Sequence, residues 1–189
     1  MTPLALEPPA EEPISLAEAR SFLRLDQSDE DDLLTMLVTA ARLMVEAASG
    51  RCLVDQHWRI VLDCWPQAGE IRLPLSPVST ILAARVYDAT GTAQPVDPAA
   101  MALDSLSDPP LIRIGGELPA PGRDHGAIEI DVVAGFGPDA TDVPGPLRQA
   151  VLRLTARWFE ERGDVASRDA QALPVPIAAL VAPYRRARL

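Results

Sequence analysis

The sequence predicts an α+β fold: N- and C-terminal helices form a small bundle, an antiparallel β-rich subdomain is inserted between them, and an extended C-terminal tail follows. Near both ends of the chain, apolar residues recur every three or four positions, as on one face of an α-helix. In the middle they alternate, as in half-buried strands. The predicted segments are a flexible N-terminal arm (1–13), N-terminal helices (14–51), the β-rich insertion (52–137), a C-terminal helix of the bundle (138–163), and a linker with a docking tail (164–189).

Composition narrows the function classes. A chain of 189 residues with 48% hydrophobic content can bury one main core and a smaller satellite. The formal net charge of −10 argues against a general nucleic-acid-binding surface, because phosphate contacts require clustered basic side chains. The charge is uneven: residues 1–50 carry ten acidic side chains against three Arg, and residues 141–189 carry five against eight. This asymmetry suits copies that stack on one another or on a partner.

The N-terminal region predicts an arm and then a helix. Residues 1–13 hold four prolines and three Glu with little to bury, so we expect a flexible acidic arm. Ser15 and Glu18 match a capping box, which predicts a short helix that ends near Leu25.

A second capping box, Ser28 with Asp31, predicts a long helix that stops at Gly50. This helix is apolar on most sides, and such a helix is normally covered on most sides. Either the middle of the chain folds over it, or part of its surface is a subunit interface. The interface candidates on this helix are Leu34, Leu37, Val38 and Ala41.

The insertion predicts five or six antiparallel strands bounded by Pro and Gly. Alternation is clearest from Trp58 to Cys64 and from Ile128 to Val132. We expect exposed loops at residues 95–100 and 119–126, where a partner could bind.

The C-terminal helix begins after Pro144, carries an apolar face from Leu147 to Phe159, and is predicted to stop at Gly163. Arg153 and Arg157 lie four residues apart, away from that face. They form either a solvated surface or a contact with an acidic groove on a neighbouring subunit, and we include both as interface candidates.

In the tail, ordered structure is predicted to resume at residues 173–176. The tail ends in a cluster of Tyr and Arg, the residue types enriched in interface hot spots. It reads as a docking element or as a frayed basic end. The docking candidates are Val175, Ile177, Leu180, Val181, Tyr184, Arg185, Arg186, Arg188 and Leu189.

We predict no catalytic residue, metal or cofactor. The acidic run before the long helix starts like a calcium loop, but Asp31 stands where that loop requires Gly and Leu37 where it requires Glu. His57 and His125 lack neighbouring zinc ligands. No secretory signal or membrane-length apolar run is present, so we expect a soluble protein made in a reducing cytoplasm with no membrane partner. In that compartment a disulfide between Cys52 and Cys64 is a minor alternative.

The order and spacing of several phrases resemble head-tail connector (adaptor) proteins of long-tailed phages, most of all the adaptor of phage-derived gene transfer agents. The resemblance covers residues 13–188. The phrases that carry it are PISLAEA (13–19), EAASGR (46–51), LPLSPV (73–78), AGFG (134–137), RWFEER (157–162) and PYR (183–185).

The resemblance implies a non-enzymatic structural protein in the virion or phage-like particle. It implies a ring of about twelve copies between a portal protein and a stopper or tail-terminator protein. The helices would form the ring, residues 174–189 would dock into the portal, the β-rich insertion would face the tail, and DNA would pass through without sequence-specific binding. The alternative from the residues alone is a soluble, non-viral protein-binding or regulatory module. An enzyme without familiar motifs is the least favoured of the three interpretations.

Overall fold

The computed structural model describes residues 1–161 and 173–185, which divide into two compact units. The first unit contains Met1–Ala10 and Asp55–Phe136 and is built from strands. The second contains Glu11–Val54 and the residues from Gly137 onward and is built from helices. The predicted α+β class is confirmed.

The helical unit packs around one apolar core. Helix α2 lies against α3, α1 contacts both of them, and α4 packs on α3 and α2. The core is supplied mainly by Leu and Val spaced at helical intervals. The helices span Leu16–Leu23 (α1), Asp31–Ser49 (α2), Gly145–Glu160 (α3) and Val175–Val181 (α4).

The capping box predicted for α1 is present. The Ser15 hydroxyl accepts a hydrogen bond from the Glu18 N–H at 3.2 Å, and the Glu18 carboxylate accepts one from the Ser15 N–H at 2.9 Å. The pKa of Glu18 is lowered, first by that hydrogen bond from the Ser15 backbone and also by Arg148. Local sequence therefore determines where this helix begins.

The second predicted box is wrong. Helix α2 starts at Asp31 after Glu30, which makes no side-chain cap, and Ser28 accepts the Asp31 N–H through its backbone oxygen at 3.1 Å. The Asp31 carboxylate faces Arg20 instead, at 3.5 Å. The predicted stop is confirmed, because Gly50 takes the left-handed conformation with φ 70°.

The strand unit contains two antiparallel sheets. The larger has the order β1-β2-β8-β4-β5 and the smaller the order β3-β7-β6. The strands span Thr2–Glu7 (β1), Gln56–Leu62 (β2), Glu70–Arg72 (β3), Val78–Tyr87 (β4), Ala93–Val96 (β5), Met101–Asp104 (β6), Leu111–Ile114 (β7) and Ile128–Ala134 (β8).

Register gives the larger sheet one apolar and one polar face. Ile60 pairs with Ile130, which pairs with Ala84 on the other side, and all three side chains are buried. Since side chains alternate along a strand, the neighbouring residues Arg59 and Asp131 lie on the opposite face.

The N-terminal arm expected over residues 1–13 is partly ordered. Thr2–Glu7 forms edge strand β1, which pairs with β2, and every side chain of β1 is exposed. Backbone pairing rather than burial builds this strand, so the sequence carried no apolar alternation to reveal it.

The insertion has more strands than predicted. Seven strands lie between Gln56 and Ala134, and one of them, β5, overlaps the start of the loop expected at residues 95–100. Pro95 lies inside β5, where it lacks a backbone donor. It is tolerated because β5 is an edge strand, whose outer side needs no partner.

Candidate interaction surfaces

The C-terminal segment is partly fixed to its own chain. Ile177 and Val181 are 4% and 0% exposed and belong to the core, so these two docking candidates anchor α4 to its own bundle. After α4, the Arg51 guanidinium donates a hydrogen bond to the Tyr184 backbone oxygen at 2.9 Å. The segment from Val175 to Tyr184 is therefore fixed to its own chain by the buried side chains of α4 and by the hydrogen bond at Tyr184.

Other docking candidates in this segment face outward. Val175 is 83% exposed, Arg185 is exposed, and Leu180 and Tyr184 are half-buried. The predictions for Arg186, Arg188 and Leu189, like the predicted stop at Gly163, fall outside the described residues.

The interface candidates on α2 lie mostly on the wrong side of that helix. Leu34, Val38 and Ala41 are between 0% and 3% exposed within the single chain. They form the core side of α2 and cannot contact a second copy while the bundle is folded. Leu37 is half-buried at the margin of that side.

Burial on α2 extends to a charged residue. Arg42 is 4% exposed, and its guanidinium binds the Glu12 carboxylate at 2.7 Å and the Glu46 carboxylate at 2.9 Å. The Thr39 hydroxyl donates to the same Glu12 at 2.8 Å. Glu12, which the sequence placed in a flexible arm, therefore compensates a buried cation.

The outer side of α2 is apolar, and none of residues 1–161 and 173–185 covers it. Met36 and Leu43 are 65% and 54% exposed, and Ala40 and Ala47 are exposed beside them. Asp32, also exposed, lies one turn before Met36. We call these five residues the outer stripe. None of the five is among the predicted interface residues, although their spacing repeats that of the core side two residues away, on the opposite face.

Arg153 and Arg157 are exposed on α3, as predicted. Arg157 pairs with Glu161 at 2.8 Å, and both side chains are nearly half exposed, so the pair contributes little to stability. Within residues 1–161 and 173–185, Arg153 has no ionic or hydrogen-bonded partner. The outer face of α3 thus carries an uncompensated positive charge.

The polar face of the larger sheet is compensated within the chain. Arg59 on β2 binds Asp131 on β8 through two contacts, at 2.7 and 3.0 Å, and Arg85 on β4 binds the same carboxylate at 2.6 Å. Glu129 accepts from the Tyr87 hydroxyl at 3.1 Å and lies 3.1 Å from Arg59. We call these five residues the sheet network.

Charge inside the sheet network is stabilised. Burial alone would raise the pKa of Asp131, but the hydrogen bond and charge of Arg59, followed by those of Arg85, outweigh burial and lower it. The contact with Asp131 in turn raises the pKa of Arg59. Both groups therefore stay ionised and paired at neutral pH.

One loop of the strand unit is anchored by specific contacts. The Trp65 indole donates to the Pro119 carbonyl at 2.9 Å, and Arg123 stacks 3.8 Å above the Tyr87 ring. Gly122 lies so close to the connection between β4 and β5 that an added Cβ would be 2.1 Å from the Ala89 nitrogen. The predicted loop 119–126 is thus a fixed, exposed feature.

The described residues contain no group of three or more His, Cys, Asp or Glu side chains that could hold a metal ion. His57 lies 3.1 Å from Glu7, and His125 is 4.0 Å from Asp63. Both cysteines are free, so the disulfide alternative is wrong. In the same part of the chain, no helix has the length and apolarity needed to cross a membrane.

Solved structures of similar chains identify the family. One, in the neck of an empty GTA particle computed with C6 symmetry, is 31% identical with a TM-score of 0.85. A second, in the virion of a native gene transfer agent (GTA) particle, is 31% identical with a TM-score of 0.84. A third, in the neck of a native GTA particle computed with C12 symmetry, is 30% identical with a TM-score of 0.81. Each comparison covers 100% of this chain and 97% of the other.

The chain belongs to the gene transfer agent neck proteins. No protein-family model and no curated protein matches the sequence. Because the comparison extends over the whole chain, this neck protein shares both its strand unit and its helical unit with those relatives.

Proposed function

We propose that this neck protein is a head-tail adaptor: a structural protein that forms a ring between the portal and the stopper or tail of a phage or phage-like particle. The observation that carries the proposal is full-length similarity, at 30–31% identity, to chains in particle necks. We assign it twelve copies because one of those necks was computed with C12 symmetry. In this role the chain is part of the particle and carries out no chemical reaction.

The C-terminal segment is the proposed portal contact. Val175 and Arg185 offer an apolar and a cationic side chain at its two ends, and both are exposed. Their use by a partner would leave Ile177 and Val181 in place as the anchor of α4. Arg186, Arg188 and Leu189 extend the same basic end in the sequence.

The strand unit is the proposed contact with the stopper or tail. Its loop 119–126 is exposed and anchored, so it can bind a partner without a large ordering cost. This unit also carries most of the net negative charge, with twelve acidic residues against five Arg. Negative charge along a conduit repels phosphate and lets duplex DNA slide without sequence-specific binding. A ring lumen lined mainly by Arg would contradict this conduit role.

Deletion of the gene in a producing bacterium tests the function. We expect DNA-filled heads that lack tails by electron microscopy, and restoration of complete particles by the wild-type gene supplied in trans. Tailed particles in the deletion strain would contradict an adaptor role.

The portal contact requires variants that leave the bundle intact, because removal of residues 174–189 also removes the buried Ile177 and Val181. Val175→Asp and Arg185→Asp change only exposed side chains. We expect each to weaken co-purification with the portal protein of the same particle at least tenfold. Leu106→Asp, at a residue 97% exposed in the strand unit, is the matched control and should bind the portal normally.

A further inference from the structure

The outer stripe of α2 has a defined chemical pattern and no partner in the part of the chain that the structure describes. Its centre is apolar, with Met36 and Leu43 flanked by the small residues Ala40 and Ala47, which allow close approach of another helix. Its N-terminal end is acidic, because exposed Asp32 lies one turn before Met36 and exposed Asp29 lies just before the helix. A partner surface must therefore supply apolar atoms to the centre and a cation to the acidic end.

The outer face of α3 carries two Arg side chains that can supply both, next to the exposed carboxylates of Glu160 and Glu161. Arg153 has no partner among the described residues, and Arg157 makes only an exposed pair with Glu161. The aliphatic part of an Arg side chain can cover apolar surface while its guanidinium reaches a carboxylate. Two Arg side chains one turn apart can thus cover Met36 and bind the acidic end of the outer stripe.

We propose that the outer stripe of α2 in one copy of this chain packs against Arg153 and Arg157 on α3 of the next copy. This inference rests on the proposed ring. The two surfaces differ, so the contact is head-to-tail, and successive copies can continue around a closed ring. An apolar centre with charge pairing at the end provides both burial and direction.

A charge exchange tests the pairing in assembled particles. Asp32→Arg and Arg153→Asp should each reduce the amount of this chain per portal in purified particles at least tenfold, because each places like charges across every contact. The double variant should restore the wild-type amount to within twofold. Quantitative mass spectrometry of purified particles gives this ratio.

Co-expression of the two single variants sharpens the test. In a head-to-tail ring, Asp32→Arg copies can alternate with Arg153→Asp copies, since every contact then joins opposite charges. We therefore expect co-expression, like the double variant, to restore the amount of this chain per portal. A defect that persists in both the double variant and the mixture would overturn the pairing.

The apolar centre is tested by Met36→Asp and Leu43→Asp. Each should cause a similar loss in the amount of this chain per portal. Leu106→Asp and Arg72→Asp, at exposed positions of the strand unit outside loop 119–126, are the matched controls and should retain the wild-type amount of this chain per portal. Melting temperatures of the purified variants should stay close to wild type, which separates lost contact from lost folding.

The outcomes separate this contact from the proposed function. A wild-type ring at the neck, together with normal assembly of both single charge variants, would overturn the contact alone. Absence of the wild-type chain from the neck would overturn the proposed function, and the contact with it.

Discussion

The sheet network and the outer stripe show two opposite ways in which this chain treats its surface. In the sheet network, two Arg and two acidic side chains from three strands compensate one another within the chain. On the outer stripe, large apolar side chains remain exposed, and on α3 the cation Arg153 has no partner among the described residues. One surface is compensated within a single copy, and we propose that the other is completed by the next copy.

This difference separates stability from assembly. Side chains that are compensated within the chain affect the free energy of unfolding when they are removed. Exposed side chains without a partner contribute little to folding, and where they form a contiguous apolar stripe they are candidates for contact with another molecule. Variants of the two classes should therefore fail in different assays.

The largest expected effect contrasts the two sides of α2. Leu34→Ala should lower the free energy of unfolding by about 3 kcal/mol, because it leaves a cavity in the helical core. Leu43→Ala, on the outer stripe, should change it by less than about 0.5 kcal/mol. Denaturant titration of both variants checks this; equal losses would mean that α2 has no free side.

The next largest difference is expected between a charged group of the sheet network and the unpaired charge on α3. Asp131→Asn should destabilise the chain by about 2 kcal/mol, because it leaves two partly buried Arg without their shared carboxylate. Arg153→Gln removes an unpaired exposed charge and should cost nothing measurable. Thermal unfolding at neutral pH distinguishes them, and an Asp131→Asn variant as stable as wild type would show that the sheet network is not compensated as described.

The smallest effect concerns a paired but half-exposed group. Glu18→Gln should cost about 0.5 kcal/mol, since Glu18 closes the capping box and binds Arg148 at 2.6 Å in an exposed setting. The folded-state pKa of Glu18 is lowered, so its contribution is complete above the unfolded value of about 4.3 and is lost as pH falls through the folded-state value.

Wild type and Glu18→Gln should therefore differ in stability above about pH 5 and converge as the pH falls below the lowered folded-state pKa of Glu18. Urea titrations across this range measure the difference. A gap that stays constant as the carboxyl group is protonated would show that ionised Glu18 does not stabilise the first helix.

The sequence predicted the features that depend on neighbours along the chain. The capping box at Ser15, the stop at Gly50 and the apolar face of α3 all follow from residues within a few positions of one another. The exposure of Arg153 and Arg157 was predicted by the same helical spacing.

Features that depend on distant residues could not be predicted. Helix α2 carries two apolar stripes with identical spacing, starting at Leu34 and Met36, and periodicity does not say which one the fold covers. Arg59 and Asp131 are 72 positions apart, and their pairing requires the register of β2 and β8. Three of the interface candidates, Leu34, Val38 and Ala41, therefore lie on the buried side of α2.

A cryo-electron microscopy reconstruction of the neck of a particle that carries this chain tests the central claim most directly. The account predicts a ring of copies adjacent to the portal, with the outer stripe of each copy against Arg153 on α3 of the next. A neck without this chain would contradict the adaptor role, and a ring in which Met36 and Leu43 remain exposed to solvent would contradict the subunit contact.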